Sequence, residues 1–231
     1  MIIRPPVNTA VSRIVETEEG LHEIRKNDQL KVVFCETQMQ SKRMLDLIER
    51  LMKIEDFGLC VQAEWKLHRS FKTLFEGKAL SRMQWHHEIR ALVKSNLAYV
   101  ENDLVHDFSL WIEAELRRKM RFVWNKYNEA WAMFGINRVS GFDWHWDGFD
   151  HVVVQTYTGP CTLYSMLEED MTFSFLDKHF VDRMESSPVY QQKNPGISIH
   201  KGGRDNPAIH TEPKFKLSEG RCVCIAVTEN L

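Results

Sequence analysis

Glycine and proline split this chain into two grammars, and that asymmetry constrains its fold more than any other feature. Between Val7 and Phe134 stand three glycines and no proline; from Gly135 to Leu231 there are eight glycines and five prolines. Both residues punctuate turns, so the first half is expected to be long helices and the second short strands with many corners. Periodicity agrees. Met44, Leu45, Ile48, Leu51 and Met52 follow the i, i+3, i+4, i+7 spacing of a helix, with Gly58 beyond as a stop. Ile89, Leu92, Val93 and Leu97 repeat it, as do Val105, Phe108, Ile112 and Leu116 behind Asp103, a candidate N-cap. The basic run Arg117–Arg121 then falls at a helix C-terminus, where cations complement the dipole, and reads as a solvated end.

Beyond it the period changes to two. Met120, Phe122 and Trp124 alternate with Arg121, Val123 and Asn125. The β-branched run His151–Tyr157 closes at Gly159-Pro160, and Arg221–Val227 alternates again. Short strands separated by turns, with no helical stretch between them, suggest an antiparallel sandwich or barrel. The expected fold class is therefore α+β. A mainly helical region, residues 1–118, packs on a strand-rich core, residues 119–231, in one compact unit.

Composition narrows the function classes. The 231 residues are 43% hydrophobic and 27% charged, an ordinary globular balance. Thirty Lys and Arg against 32 Asp and Glu leave a net charge of -2, which offers no cationic excess for nucleic acid. No stretch approaches the roughly 20 apolar residues that span a bilayer, so no membrane partner is expected. Met1–Val7 lacks the apolar core of a secretory signal. Five cysteines without a Cys-x-x-Cys pair argue against a disulfide framework or a cysteine zinc site, and a reducing cytoplasm is the expected location. The Gly-x-Ser-x-Gly, Gly-x-x-x-x-Gly-Lys, Gly-x-Gly-x-x-Gly and His-Glu-x-x-His patterns are all absent; Trp85-His86-His87-Glu88 has the wrong spacing for the last.

One constellation carries chemistry. His145 and Asp147 flank Trp146; in extended chain, residues i and i+2 share a face, so imidazole and carboxylate converge while the indole points away. His210, in Pro207-Ala-Ile-His-Thr-Glu-Pro213, is a third candidate ligand, and Arg221 opens the last apolar strand eleven residues later. Two histidines and one carboxylate on one face leave metal positions open, the arrangement of non-haem Fe(II) oxygenases. A buried arginine can hold a carboxylate through a bidentate pair. Two bland alternatives stand beside this. His145 and Asp147 can be a surface pair, and Trp144, Trp146 and Phe149 can simply be core.

In order and spacing, His145, Asp147, His210 and Arg221 resemble the Fe(II)/2-oxoglutarate-dependent dioxygenases. Those proteins carry His-x-Asp, a distal His and, ten or eleven residues on, Arg or Lys, on a double-stranded β-helix (a jelly roll). His179 and His200 lack a basic residue at that offset. The segment Asn137–Asp147 is also similar to the approach to the metal motif in several branches of the superfamily. A closer resemblance is to a bacterial family known as a domain of unknown function. It is carried by His145-Trp-Asp147, Thr156-Tyr-Thr-Gly-Pro-Cys-Thr162, Lys201-Gly202 and His210-Thr-Glu-Pro213. Cys161 stands where that family has a second glycine, and Thr211-Glu212 where it has Arg-Ser.

The superfamily resemblance implies a C-terminal jelly roll that oxidises a small organic substrate with O2, Fe(II) and 2-oxoglutarate. His145, Asp147 and His210 would then be the catalytic metal ligands and Arg221 the anchor of the distal carboxylate. Tyr157 and Tyr164 are candidate donors to that carboxylate, with packing and a satisfied hydroxyl as the alternative. Lys201–Arg204 reads as a mobile basic turn. The second functional class is a jelly roll that binds metal, zinc included, without catalysis.

Overall fold

The computed structural model describes residues 3–36, 41–54, 57–65, 82–97, 100–123, 128–136, 144–165, 184, 187–193, 196–203, 207–212 and 221–230. The two β-branched runs read from sequence are paired with each other. β6 (His151–Thr158) lies antiparallel to β11 (Cys222–Asn230), which also pairs with β5 (Asn128–Ile136). On the far side of β6 runs β9 (Gly196–Lys201), giving β5-β11-β6-β9 as the centre of a seven-stranded sheet. Facing it is a smaller sheet containing β7 (Leu163–Ser165), β8 (Val189–Gln191) and β10 (Ile209–Thr211). His145 adds an isolated antiparallel bridge to His210 at the edge of β10. The chain crosses between the sheets, each giving one inner face to a shared core.

Region 1–118, expected to be mainly helical, holds helices but also supplies four strands: β1 (Ile3–Arg4), β2 (Ser12–Val15), β3 (Val32–Glu36) and β4 (Leu59–Trp65). β3 pairs with β9 and β4 with β5, so the large sheet runs across both expected regions. Three α-helices are described: α1 (Lys42–Met52), α2 (Arg82–Asn96) and α3 (Asn102–Val123). Ser41 caps α1 by accepting from the Met44 amide, and α1 ends well before Gly58. No helix among the described residues is long and apolar enough to cross a membrane.

The alternation expected from Met120 to Asn125 is corrected. Residues 120–123 continue α3, because Phe108, Ile112, Leu116, Met120 and Val123 form one buried helical stripe; Trp124 and Asn125 lie outside the described residues. Nor is the basic run a solvated end. Arg118 bonds Glu18, Glu115 and Gln155, and Lys119 is wholly buried with its ammonium 3.5 Å from Glu115. Helix stripe and outer sheet face make the main core, with Val33, Cys35, Ile197, Ile199, Cys222 and Cys224 from the sheet. The inner face holds a second core, where Val32 and Phe34 meet Tyr164 and Tyr190 of the small sheet. Between these two sheets sits the candidate site.

Candidate metal centre

Strand alternation decides which side chains enter the sandwich. On β9, Ile197 and Ile199 face the helices, so Ser198 and His200 face inward. On β6, Val154 and Thr156 face inward and Val153, Gln155 and Tyr157 outward. Tyr157 is therefore not a cosubstrate donor, and that expectation is corrected. Its ring packs on Trp111 of α3 and its hydroxyl donates to the buried Glu115 carboxylate.

The other predicted residues gather in one place. The donor groups of His145, Asp147 and His210 all lie within 4.8 Å of one another. Paired amides and carbonyls of His145 and His210, 2.9 Å each way, lock the first ligand's backbone to the third's. The loop bearing Asp147 is clamped by the end of β9. Gly203 donates its amide to the Asp147 carbonyl at 2.8 Å, and Gly202 to the Asp150 carbonyl at 3.0 Å. Both positions need glycine: Gly203 has φ +74°, and a Cβ on Gly202 would lie 1.9 Å from the Phe149 carbonyl oxygen. The basic turn expected at Lys201–Arg204 is thus a clamp rather than a mobile loop as far as Gly203; Arg204 lies outside the described residues. Lys201 itself bonds the Asn27 and Asp28 carbonyls. Trp144 is core, packed with Leu163 and Ile209, whereas Phe149 is partly exposed.

Electrostatics prepares two of the three for a cation. His210 Nδ1 faces the Ala208 carbonyl at 3.3 Å, so this ring nitrogen carries the proton and Nε2 presents its lone pair. Burial, reinforced by His200, pushes the imidazole down to about 3, so it stays neutral at ordinary pH. Burial alone would raise the Asp147 carboxyl, but a hydrogen bond from His200, joined at low pH by the surrounding histidines as they protonate, holds it well below the usual carboxylate range. His210 Nε2 and Asp147 Oδ2 therefore face each other at 3.3 Å as two acceptors with no proton between them. Two ligands on one face of a metal, each bonded at about 2.1 Å, stand about 3 Å apart. The donor set fits such an ion.

Arg221, on the inner side just before β11, shows the opposite deficit. It is 2% exposed; Nη2 donates to Thr162 Oγ1 at 3.0 Å, while Nε and Nη1 have no hydrogen-bond partner among the described residues. The acid beside it there is Glu212, its Oε2 3.5 Å from Nη1, an ion pair too long for a good hydrogen bond. Burial raises the Glu212 carboxyl and Arg221 opposes the rise. A small cleft includes Thr162 and is lined also by Thr156, Cys161, Tyr164, Gln192 and Ser198. Tyr164 thus sits at the cleft, but its hydroxyl is shared between Ser198 Oγ and His200 Nδ1. Sequence reasoning passed over two residues here. His200, fully buried, lies 2.9 Å from Asp147, and its signal was a polar residue in phase with Ser198 on an inward face. Glu212 had only its position two residues beyond His210 to mark it.

The fold and site define a two-sheet α+β protein with a two-histidine, one-carboxylate centre. Similar solved structures include dioxygenase for auxin oxidation 1 from Arabidopsis thaliana with 2-oxoglutarate, at 7% identity and a TM-score of 0.48 over 96% of this chain and 93% of that one. A full-length Neurospora crassa protein in complex with α-ketoglutarate and thymine gives 8% and 0.45, over 97% of this chain and 88% of that one. IDO from Bacillus thuringiensis gives 11% and 0.42, over 92% and 94%. No family model matches the chain and no curated protein matches it, so the closer resemblance to the bacterial family gains no support.

Proposed function

We propose that the protein is an Fe(II)- and 2-oxoglutarate-dependent oxygenase acting on a small organic substrate. One observation carries the reading. A cluster of acceptors suited to a cation and a buried guanidinium, whose Nε and Nη1 have no hydrogen-bond partner among the described residues, lie in the same sandwich, near a small cleft lined by Thr162 and Tyr164. His145, Asp147 and His210 would hold the metal, and Arg221 with Thr162 would receive the distal carboxylate of the cosubstrate. When bound, Fe(II) with 2-oxoglutarate supplies oxidative decarboxylation coupled to C–H oxidation by O2. The chain's own part is to keep His210 neutral, keep Asp147 ionised and exclude water from Arg221, so that each charge meets only its partner.

A second reading, a metal-binding jelly roll without catalysis, is favoured by the Arg221–Glu212 contact, which gives the guanidinium an internal counter-ion. Calorimetric titration of 2-oxoglutarate into anaerobic Fe(II) protein separates the two, parent beside Arg221→Ala. The oxygenase reading expects binding in the parent, a loss of about 2–5 kcal/mol in the variant with Fe(II) retained, and succinate release in air. Equal binding by both proteins, or none by either, would leave Arg221 as Glu212's partner.

A further inference from the structure

We propose that His200 is a positioning residue that fixes the Asp147 carboxylate through a relay anchored at Ser198 and Tyr164, an inference that rests on the metal-centre reading above. Asp147 stands on a loop, so strand pairing does not orient its side chain. What does hold it is His200, whose Nε2 is 2.9 Å from Asp147 Oδ2 and whose Nδ1 is 3.0 Å from the Tyr164 hydroxyl; that hydroxyl lies 2.9 Å from Ser198 Oγ. All three supporting residues are buried and lie on β7 or β9.

The proton positions follow from the acceptor. An ionised carboxylate only accepts, so on a neutral imidazole Nε2 carries the hydrogen and Nδ1 is left to accept. The Tyr164 hydroxyl must then donate to Nδ1, and Ser198 donates to Tyr164. Every hydrogen in the relay has one destination, which fixes both the tautomer and the tilt of the His200 ring. Asp147 Oδ2 is thereby occupied on one side, leaving its remaining lone pairs for an ion. His200 is not itself among the donors clustered within 4.8 Å, although its ring lies against that of His210 with centroids 4.4 Å apart. Rigid strands thus hold a loop carboxylate, as outer-shell partners of metal ligands do.

The test uses Co(II) titrated calorimetrically into the full chain, with the visible absorption of the bound ion as a second readout. His200→Phe keeps an aromatic ring and removes the donor; it is expected to bind Co(II) about 10–100-fold more weakly, with a shifted spectrum. His200→Gln restores an N–H near the position of Nε2 and should recover most of that affinity and the parent spectrum. Tyr164→Phe frees Nδ1 without touching Asp147, and should produce a smaller loss of the same sign. Thermal unfolding of each variant shows that the fold is kept; should His200→Phe not fold, the Gln and Tyr164→Phe variants decide alone. Parent-like affinity and spectrum in His200→Phe and Tyr164→Phe would overturn the proposal. A Gln variant as weak as Phe would overturn it too, making His200 a ligand. His145→Ala and His210→Ala run beside them. If these bind Co(II) like the parent, the metal-centre reading itself is wrong, whereas their loss beside intact His200 variants removes only this inference.

Discussion

Gly202→Ala is the perturbation whose size the structure fixes best. The added Cβ would sit 1.9 Å from the Phe149 carbonyl oxygen and 2.7 Å from the Asp147 carbonyl oxygen, both backbone atoms that no rotamer change can move. The end of β9 and the Asp147 loop must therefore separate by more than an ångström. That motion stretches the Gly202–Asp150 and Gly203–Asp147 hydrogen bonds of 3.0 and 2.8 Å. Two bonds at about 1 kcal/mol each and about 1–3 kcal/mol of overpacking strain give a destabilisation near 4 kcal/mol. For a chain of this length, that is a fall in Tm of roughly 8–16 °C. Gly148→Ala is the control on the same loop, since its Cβ would meet nothing within 4 Å. Calorimetric unfolding of both variants beside the parent gives the answer, and Co(II) titration reports whether Asp147 has moved. A Gly202→Ala protein melting within about 2–4 °C of the parent, the shift expected of 1 kcal/mol, would refute the clamp.

Further outcomes follow from the charges. Tyr157→Phe should leave 2-oxoglutarate affinity unchanged, because this hydroxyl serves Glu115 on the helix side of β6; a loss by titration would return Tyr157 to the pocket. Glu115→Ala should cost about 3–5 kcal/mol in urea unfolding, since it leaves the wholly buried Lys119 without its nearest counter-charge, whereas Lys119→Met, with Arg118 still on Glu115, should be neutral or stabilising. Burial holds His210 at about 3 and His151 at about 4 in the folded chain, below the unfolded imidazole range near 6.5. The unfolded state therefore binds more protons between these limits, and metal-free stability should rise with pH from about 4 to 6.5 and then level off. A flat profile across that window, measured by unfolding at constant ionic strength, would contradict the buried neutral state.

What was legible in the sequence was legible for particular reasons. β6 and β11 announce themselves as β-branched or alternating runs, and α1 and α2 as apolar stripes at helical spacing. His145, Asp147, His210 and Arg221 were readable because their chemistry and spacing are constrained together. β3 was hidden because its residues Val32–Cys35 are buried on both faces, so no alternation marks it. The end of α3 was misread since Met120 and Phe122 fit a period of two as well as they fit a helix. Tyr157 and Thr156 are neighbours on one strand, and only the observed pairing says which faces the cleft. The acid in contact with Arg221 is Glu212, just beyond β10, nine residues away in sequence and unmarked by any strand periodicity. His200 fell to a rule about downstream basic residues, which has no bearing on a residue that holds a ligand.

The order of strands in the large sheet carries a consequence for how the chain is made. β11 lies between β5 and β6 at the centre of the sheet, yet it is the last of the described strands in sequence. Until its residues are available, β4-β5 and β2-β3-β9-β6 are two half-sheets, each with a bare edge of unpaired amides and carbonyls. A nascent or unfolding chain in that state presents two long sticky margins at once, the condition in which strand proteins aggregate or exchange segments between copies. The same step carries Arg221 into place, so the arginine and the central strand arrive together. Refolding yield should accordingly depend on protein concentration more steeply than final stability does.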